Sequence, residues 1–294
     1  MRVYYIAMDY PVIEIKLASN QYPKKLKHIH DAPKQLYCRG DVSLLQTDCF
    51  TVVGTRKITP YGKEAVQHIV PELAEYFTIV SGLALGIDAA AHQTTLQAHG
   101  KTIAVLATPV TDPTPRTNLN LAREILKRGG LLVSEYPEKA PVRAFNFAIR
   151  DRILSGLSCG VLIVEADLKS GSLVTAKSAL DQNRDVFAVP GSIFSSRTAG
   201  PHMLIQHGAK LVASAEDILQ EYDQLPLPKT RRLSTANPTE KLILDILTTS
   251  GQLSVDAIIE KSKKETSEIL AALTMMELNG LITQREDGTY RANE

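Results

Sequence analysis

Cysteine is scarce in this sequence. The 294 residues include three cysteines, Cys38, Cys49 and Cys159, which lie far apart and form no CxxC pair. This spacing argues against a disulfide framework and against a structural zinc site. The seven histidines also lack partners at metal-ligand spacing, so we expect them to be polar surface residues. The sequence therefore predicts no metal site and a reducing, cytoplasmic location.

Long apolar runs and an excess of charge are also missing. No stretch of eighteen apolar residues occurs, and the first residues, MRVYYIAMDYP, have no long apolar core or small-residue cleavage site. These absences predict neither membrane insertion nor export. Lys and Arg together number 33 against 32 Asp and Glu, a net charge of +1. Any polyanion would have to bind at a local basic patch.

Signatures of nucleotide cofactors are incomplete. Residues 81–92, SGLALGIDAAAH, contain GxxxG rather than GxGxxG, and no acid ends the next predicted strand, KTIAVLA. A dinucleotide would therefore lack its ribose anchor. No GxxxxGK[ST] sequence is present either, which argues against a P-loop NTPase. We predict no cofactor.

Short aliphatic runs alternate with helical stretches between residues 50 and 215. This pattern is typical of βα units, in which a parallel sheet is buried on both faces. It predicts an α/β fold: an extended Rossmann-like, mostly parallel sheet with helices on both faces. The predicted strands lie in CFTVVGTR, FTIVSGLA, KTIAVLA, GLLVSEYP, CGVLIVEA and RDVFAVPG.

The rest of the chain divides into a lead-in, a linker and a second small domain. Three helical stretches after residue 239, closed by two short strands turned at Asp287 and Gly288, follow the order of a winged helix. The third predicted helix, Glu265 to Asn279, carries three acids and only Lys263 and Lys264 at its start, so we expect it to bind duplex grooves weakly. The predicted boundaries are a lead-in packed on the core over 1–48, the Rossmann-like domain over 49–222, a linker over 223–238 and the winged helix over 239–294.

Three polar turns follow predicted strands and could bind an anion. Because ligands bind at the carboxyl edge of an open parallel sheet, we expect these turns to share one site. Tight βα turns with a solvated arginine are the alternative for the first of them. The three turns contain Gly54, Thr55, Arg56 and Lys57; Ser81 and Gly82; and Lys169, Ser170, Gly171 and Ser172.

The segment VRAFNFAIRDR alternates rings and guanidinium groups. Rings can stack on bases and cations can follow phosphates, as single-stranded nucleic acid requires. In the alternative, the apolar residues are core and the arginines pair with nearby acids. The candidate DNA-binding residues here are Arg143, Phe145, Phe147, Arg150 and Arg152.

Seven blocks, in order, resemble the DNA-processing protein A family (DprA, also called Smf). They are GTRKITPYG, SGLALGIDAAAH, TIAVLA, LLVSEYP, FAIRDRILSGLS, VLIVEADLKSGSLVTAKSALDQNRDVFAVPGSI and AGPHMLIQHGAKLV. The resemblance covers residues 50–215, and YPKKLKHIHDAPKQLYCRGD is similar to the family's lead-in. It implies a homodimer that binds single-stranded DNA without catalysis and loads the RecA recombinase during natural transformation.

Carried onto this sequence, the family's DNA pocket includes the GTR turn, Ser81 and Gly82, Arg150 and Arg152, and Ser170 to Ser172. The sequence departs from the family's usual FPxRNR at Ala148 and Asp151, and from other usual residues at Ala107 and His202. Because Asp151 adds negative charge beside the proposed DNA path, we expect a lower affinity here.

An alternative function, that of an enzyme, would use the same three turns. In a nucleotide-processing hydrolase of related fold, they would hold a nucleoside monophosphate while Asp88 or Glu135 acts in acid–base chemistry. The PGGxGT signature of phosphoribohydrolases is missing. We therefore expect Gly86, Asp88 and Glu135 to organise the loops, and we predict that the protein is not an enzyme.

Overall fold

The computed structural model describes residues 10–222, 237–278, 281–285 and 288–292. These residues fall into two compact units, one ending at Tyr222 and the other beginning at Asn237. Most of the predicted linker, residues 223–236, and the predicted turn residue Asp287 lie outside the described residues. Among the helices that are described, none is both long and apolar enough to cross a membrane.

The first unit is an α/β structure built on one nine-stranded sheet. Its strands are β1 (Ile13–Lys16), β2 (Gln35–Gly40), β3 (Cys49–Val53), β4 (Thr78–Ser81), β5 (Thr102–Leu106), β6 (Leu131–Ser134), β7 (Gly160–Ile163), β8 (Asp185–Ala188) and β9 (Lys210–Leu211). Its helices are α1 (Lys24–Lys27), α2 (Pro60–Tyr76), α3 (Ile87–Gln97), α4 (Leu119–Lys127), α5 (Phe145–Leu157), α6 (Ser172–Asp181), α7 (Ala199–Gln206) and α8 (Glu216–Leu219).

The strand order places a topological switch point in the middle of the sheet. The order is β1-β2-β6-β5-β4-β3-β7-β8-β9, so the chain runs outward from β3 through β4 to β6 and then restarts at β7 on the other side. All pairings from β6 to β9 are parallel. The loops after β3 and β7 therefore diverge and leave a crevice at the carboxyl edge, where open α/β sheets bind ligands.

Helices cover the sheet on both faces, as the continuous aliphatic runs predicted. Alternate residues of one strand supply opposite cores: Val52 packs with Val66 and Ile69 of α2, whereas Val53 packs with Ile153 and Leu154 of α5. Strands buried on both faces need apolar residues at successive positions. The predicted Rossmann-like fold is thus confirmed.

The lead-in, predicted to pack on the core, forms part of the sheet itself. It supplies two strands of the sheet, with β2 antiparallel to β6 and β1 antiparallel to β2. Gly40, at the end of β2, has φ +106, and a Cβ there would lie 2.2 Å from the Gly130 carbonyl oxygen. A glycine is therefore needed for β2 to approach the start of β6.

The second unit has the winged-helix order. Its helices are α9 (Pro238–Ser250), α10 (Val255–Ser262) and α11 (Thr266–Leu278), and its strands are β10 (Gln252–Ser254), β11 (Ile282–Gln284) and β12 (Thr289–Ala292). Two strands were predicted here, and the structure adds a third, β10, which pairs with β12. A separate small core includes Ile243, Leu247, Leu273 and Met276.

At the start of α11, Glu268 accepts hydrogen bonds from Lys264 and from the Thr239 hydroxyl. One of the two lysines that precede this helix is therefore already paired.

Candidate functional site

A cleft of about 610 Å³ opens at the switch point of the sheet. It is lined by segments that follow β3, β4, β7 and β8 and by the start of α5. The sequence-predicted residues that line it are Gly54, Thr55, Arg56, Lys57, Asp88, Phe147, Arg150, Ser170, Gly171 and Ser172. The first and third proposed turns therefore line one cleft, although they are separated by more than a hundred residues in the chain.

The GTR turn is hydrogen-bonded through its backbone to the start of α3 and to the segment after β7. Thr55 accepts a hydrogen bond from the amide of Ile87 at 3.1 Å and donates its own amide to the Glu165 carbonyl at 2.6 Å. Gly86 has φ +80, and a Cβ on it would lie 2.2 Å from the Thr55 carbonyl oxygen. Since neither this backbone conformation nor this approach suits a larger residue, Gly86 fixes the position of the Thr55–Arg56 turn.

Below this turn lies a buried charged cluster, Asp88, Arg150 and Asp151, which we call the floor of the cleft. The Arg150 side chain is 5% exposed. Its Nη1 donates to the carbonyls of Gly82 and Val105 at 2.7 and 2.6 Å, and its Nε donates to Asp151 Oδ1 at 3.1 Å. A Cβ at Gly82 would lie 2.2 Å from Nη1, so the glycine makes room for the guanidinium group.

Burial and Arg150 act in opposite directions on the pKa values of the two floor carboxylates. Asp88 accepts hydrogen bonds from the amides of Gly82 and Ala84, at 3.1 and 3.4 Å, and so ties the loop after β4 to α3. Burial raises the pKa of Asp88, although Arg150 opposes the shift. Burial also raises the pKa of Asp151 to about 6, again against the attraction of Arg150. Asp151 can therefore change charge near neutral pH.

Three cations around the opening, Arg56, Lys57 and Arg197, form what we call the rim. The guanidinium carbon of Arg56 lies 5.6 Å from the centre of the Phe147 ring, within cation–π range. Arg56 and Lys57 are exposed, whereas Arg197 is half-buried and donates from Nη1 to the Thr55 hydroxyl at 3.1 Å. The rim thus places a ring and several cations side by side facing solvent.

The third turn closes the cleft opposite the GTR turn. Ser172 is the first residue of α6, and its hydroxyl lies 2.8 Å from that of Ser170. The amides of Ser172, Leu173 and Val174 are already bonded to Ser170 and Gly171, so this turn offers its serine hydroxyls rather than free amides to a ligand.

Several predicted residues do not line the cleft. Arg152 instead binds Asp31 and Glu135, each at 2.7 Å, so Glu135 holds an arginine of α5. The Ser81 hydroxyl is fully buried and donates to the Val52 carbonyl. DNA contact by these residues stays a prediction. The predicted residues outside the lining are Ser81, Gly82, Gly86, Glu135, Arg143, Phe145, Arg152 and Lys169.

Different residues of VRAFNFAIRDR fit the two interpretations, one of DNA-binding rings and cations and the other of arginines paired with acids. Arg150 and Arg152 pair with acids, as the structural alternative required. Arg143 is exposed, with its guanidinium carbon 5.7 Å from the centre of the Phe145 ring. Each ring that pairs with a cation belongs to the first turn of α5, which points at the carboxyl edge of the sheet.

Two residues that line the cleft, Ser196 and Arg197, were not among the predicted site residues. One histidine also differs from its prediction. Ser196 and Arg197 follow β8 by several residues rather than directly, but a polar SSRT turn before α7 was a detectable signal. His92, expected at the surface, is fully buried: Nδ1 lies 2.7 Å from the Thr102 hydroxyl, while Nε2 has no partner among the described residues. Burial lowers its pKa to about 3, so it remains neutral.

Comparison with known families agrees with this architecture. Residues 14–223 match the family model of the DNA recombination-mediator protein A, and residues 227–288 match the DprA winged helix domain. The chain belongs to the DNA recombination-mediator protein A family. The resemblance found in the sequence and the predicted winged helix are thereby confirmed.

Individual relatives cover most of the chain. The DNA processing protein DprA of Bacillus subtilis is 46% identical over 209 residues, which are 70% of this chain and 70% of that protein. The protein Smf of Escherichia coli K12 is 39% identical over 93% of this chain and 75% of its own length. A solved structure of DNA processing protein A from Helicobacter pylori, described by its single-stranded DNA binding mode, has 30% identity and a TM-score of 0.66 over 76% of this chain and 99% of that one.

Proposed function

We propose that this protein binds single-stranded DNA along the cleft and does so without catalysing a reaction. The observation that carries the proposal is the pairing of Arg56 with the Phe147 ring at the opening of a cleft lined by glycine- and serine-containing turns. A guanidinium group can hold a phosphate while a neighbouring ring stacks on a base. The DNA-binding mode described for the Helicobacter pylori relative supports the same conclusion.

The rim residues make contacts that suit a backbone rather than a particular base. Arg56, Lys57 and Arg197 present positive charge, and Ser170 and Ser172 at the start of α6 present hydroxyls, all of which can bind phosphate oxygens. Phosphate contacts carry no base information. We therefore expect binding that depends little on base composition.

The hydrolase alternative finds less support in the geometry. Asp88 is buried and accepts amides of its own loop, and Glu135 is held by Arg152, so the two proposed acid–base groups already have structural partners. Hydrolysis of nucleoside monophosphates, measured by release of free base, tests this alternative directly. Release by the wild-type protein would overturn the non-catalytic part of the proposal.

We also propose, from the family's description as a recombination mediator, that the bound strand is passed to the RecA recombinase by a homodimer. Loading of RecA filaments onto coated DNA, and the mass of the protein in solution, are the two measurements that test these parts.

The central experiment is a fluorescence-anisotropy titration of labelled oligo-dT with Arg56→Ala at two salt concentrations. We expect about tenfold weaker binding, because one charge-assisted phosphate contact is lost. The slope of log affinity against log salt should fall by about 0.7 per contact removed. The loss should be equal for oligo-dT and oligo-dC.

Lys27→Ala is the matched control, since Lys27 is an exposed cation of α1 outside the cleft. It should bind like the wild type. Unchanged binding by Arg56→Ala, or binding to duplex that equals binding to the single strand, would contradict the proposal.

A further inference from the structure

The loop between β8 and α7 carries two unusually exposed apolar residues. Phe194 is 93% exposed and Ile193 is 80% exposed, more than any other large apolar side chain among the described residues. Single exposed apolar residues are ordinary, but a nearly fully exposed aromatic ring beside a second apolar residue indicates a binding function.

The exposure of Phe194 does not come from a loosely folded loop. The Thr198 hydroxyl is within 2.5 and 2.8 Å of the carbonyls of Ser192 and Ser195, and the Ser195 amide donates to the Ser192 carbonyl at 3.1 Å. A Cβ at Gly191 would lie 2.3 Å from Thr198 Cγ2, so the base of the loop is closely packed. The ring is therefore held outward by a pre-ordered backbone, which lowers the entropic cost of binding through it.

The same loop forms part of the cleft. Ser196 and Arg197 line it, Arg197 donates to Thr55, and the Arg197 carbonyl accepts the amide of Ala166 at 2.7 Å. Phe194 and Ser196 are two positions apart in the chain, so their Cα atoms are at most about 7.6 Å apart. Because β8 is the neighbour of β7, this loop extends the binding edge of the sheet by one strand.

We propose that Phe194 is a second stacking platform, on which a base of the DNA strand packs as the strand leaves the cleft past Ser196 and Arg197. The inference rests on the proposed function. Serines 192, 195 and 196 surround the ring in sequence, and a cation follows, which is the mixture of ring and polar groups that single-stranded DNA uses. Ile193 and Phe194 together form an apolar patch far smaller than the roughly 800 Å² per partner that a stable protein interface buries, so this loop suits a base better than a protein partner.

The chain contains no tryptophan, which allows a direct test. In Phe194→Trp the new indole is the only one, and a base stacked on it should quench its fluorescence. We expect quenching by oligo-dT that saturates at the same DNA concentration as the anisotropy signal, and none with an abasic strand of equal length. Leu180→Trp is the control: Leu180 is 61% exposed, near the far end of α6 from Ser172, and its fluorescence should not change.

Affinity gives an independent measurement. Phe194→Ala should weaken oligo-dT binding about tenfold, since base–aromatic stacking contributes on this scale, whereas Phe194→Tyr should retain the wild-type affinity.

The stacking role would be overturned, and the proposed function left standing, if Phe194→Ala bound with normal affinity and Phe194→Trp showed no quenching while Arg56→Ala was still weakened. A change only in the oligomeric mass of Phe194→Ala would assign the ring to a protein contact. Failure of the wild type to bind DNA would overturn both proposals.

Discussion

The rim and the floor of the cleft contain the same kind of residue in opposite situations. Arg56 of the rim is exposed and contacts a ring, whereas Arg150 of the floor is 5% exposed and donates to two carbonyls and a carboxylate. Both are arginines of family motifs in one cleft. The difference shows that a cation near a candidate DNA site can serve either the ligand or the fold, and that its partners decide which.

The largest effect should come from Arg150→Met. This change leaves Asp88 and Asp151 without their cation and two buried carbonyls without their donor, so we expect a loss of about 3–5 kcal/mol in the free energy of unfolding. Urea unfolding followed by circular dichroism measures it. Arg56→Ala should change the same quantity by no more than about 0.5 kcal/mol.

Adding Asp151→Asn to Arg150→Met should restore part of the lost stability, because one uncompensated buried charge is removed. If Arg150→Met instead unfolded like the wild type and lost only DNA affinity, the distinction between floor and rim would fail.

A smaller effect is expected at Gly86, which positions the turn that carries Arg56 of the rim. Gly86→Ala places a Cβ against the Thr55 carbonyl at a backbone angle that alanine rarely adopts, and should cost about 1–3 kcal/mol of stability. Because the Thr55–Arg56 turn must then move, DNA affinity should fall as well. Gly171→Ala is the matched control: its φ is −61 and nothing lies within 4 Å of the added Cβ, so stability should be unchanged. Normal DNA binding by a folded Gly86→Ala would mean that the rim does not depend on this contact.

The smallest effect concerns the charge of Asp151. Its pKa is raised to about 6, so the carboxylate takes up a proton as the pH falls from 7.5 to 5.5. Loss of this negative charge beside Arg150, Asp88 and Arg56 should strengthen DNA binding by about threefold at moderate salt.

Asp151→Asn should therefore bind more tightly than the wild type at pH 7.5 and show a weaker dependence on pH. Anisotropy at the two pH values compares them. An equal pH dependence in both proteins would assign the titration to another group.

The sequence predicted the central sheet well because β3 to β8 are predominantly aliphatic, which is a strong local signal. It missed β1 and β2, whose sequences IEIK and QLYCRG mix charge with apolar residues, as antiparallel strands near an edge do. The turns of the site could be located because they follow predicted strands. The roles of Arg56 and Arg150 could not be separated, since their partners come from segments distant in sequence.

The two lead-in strands also protect the molecule against unwanted self-association. Without β2, every residue of β6 would belong to an open edge, and β6 is buried throughout. Among the described residues β1 is the outermost strand on this side, and its Glu14 and Lys16 side chains are exposed. Charges on a short edge strand discourage another chain from adding to the sheet. A chain shortened to begin at residue 49 would expose an aliphatic edge, and aggregation rather than altered DNA binding would be its first defect.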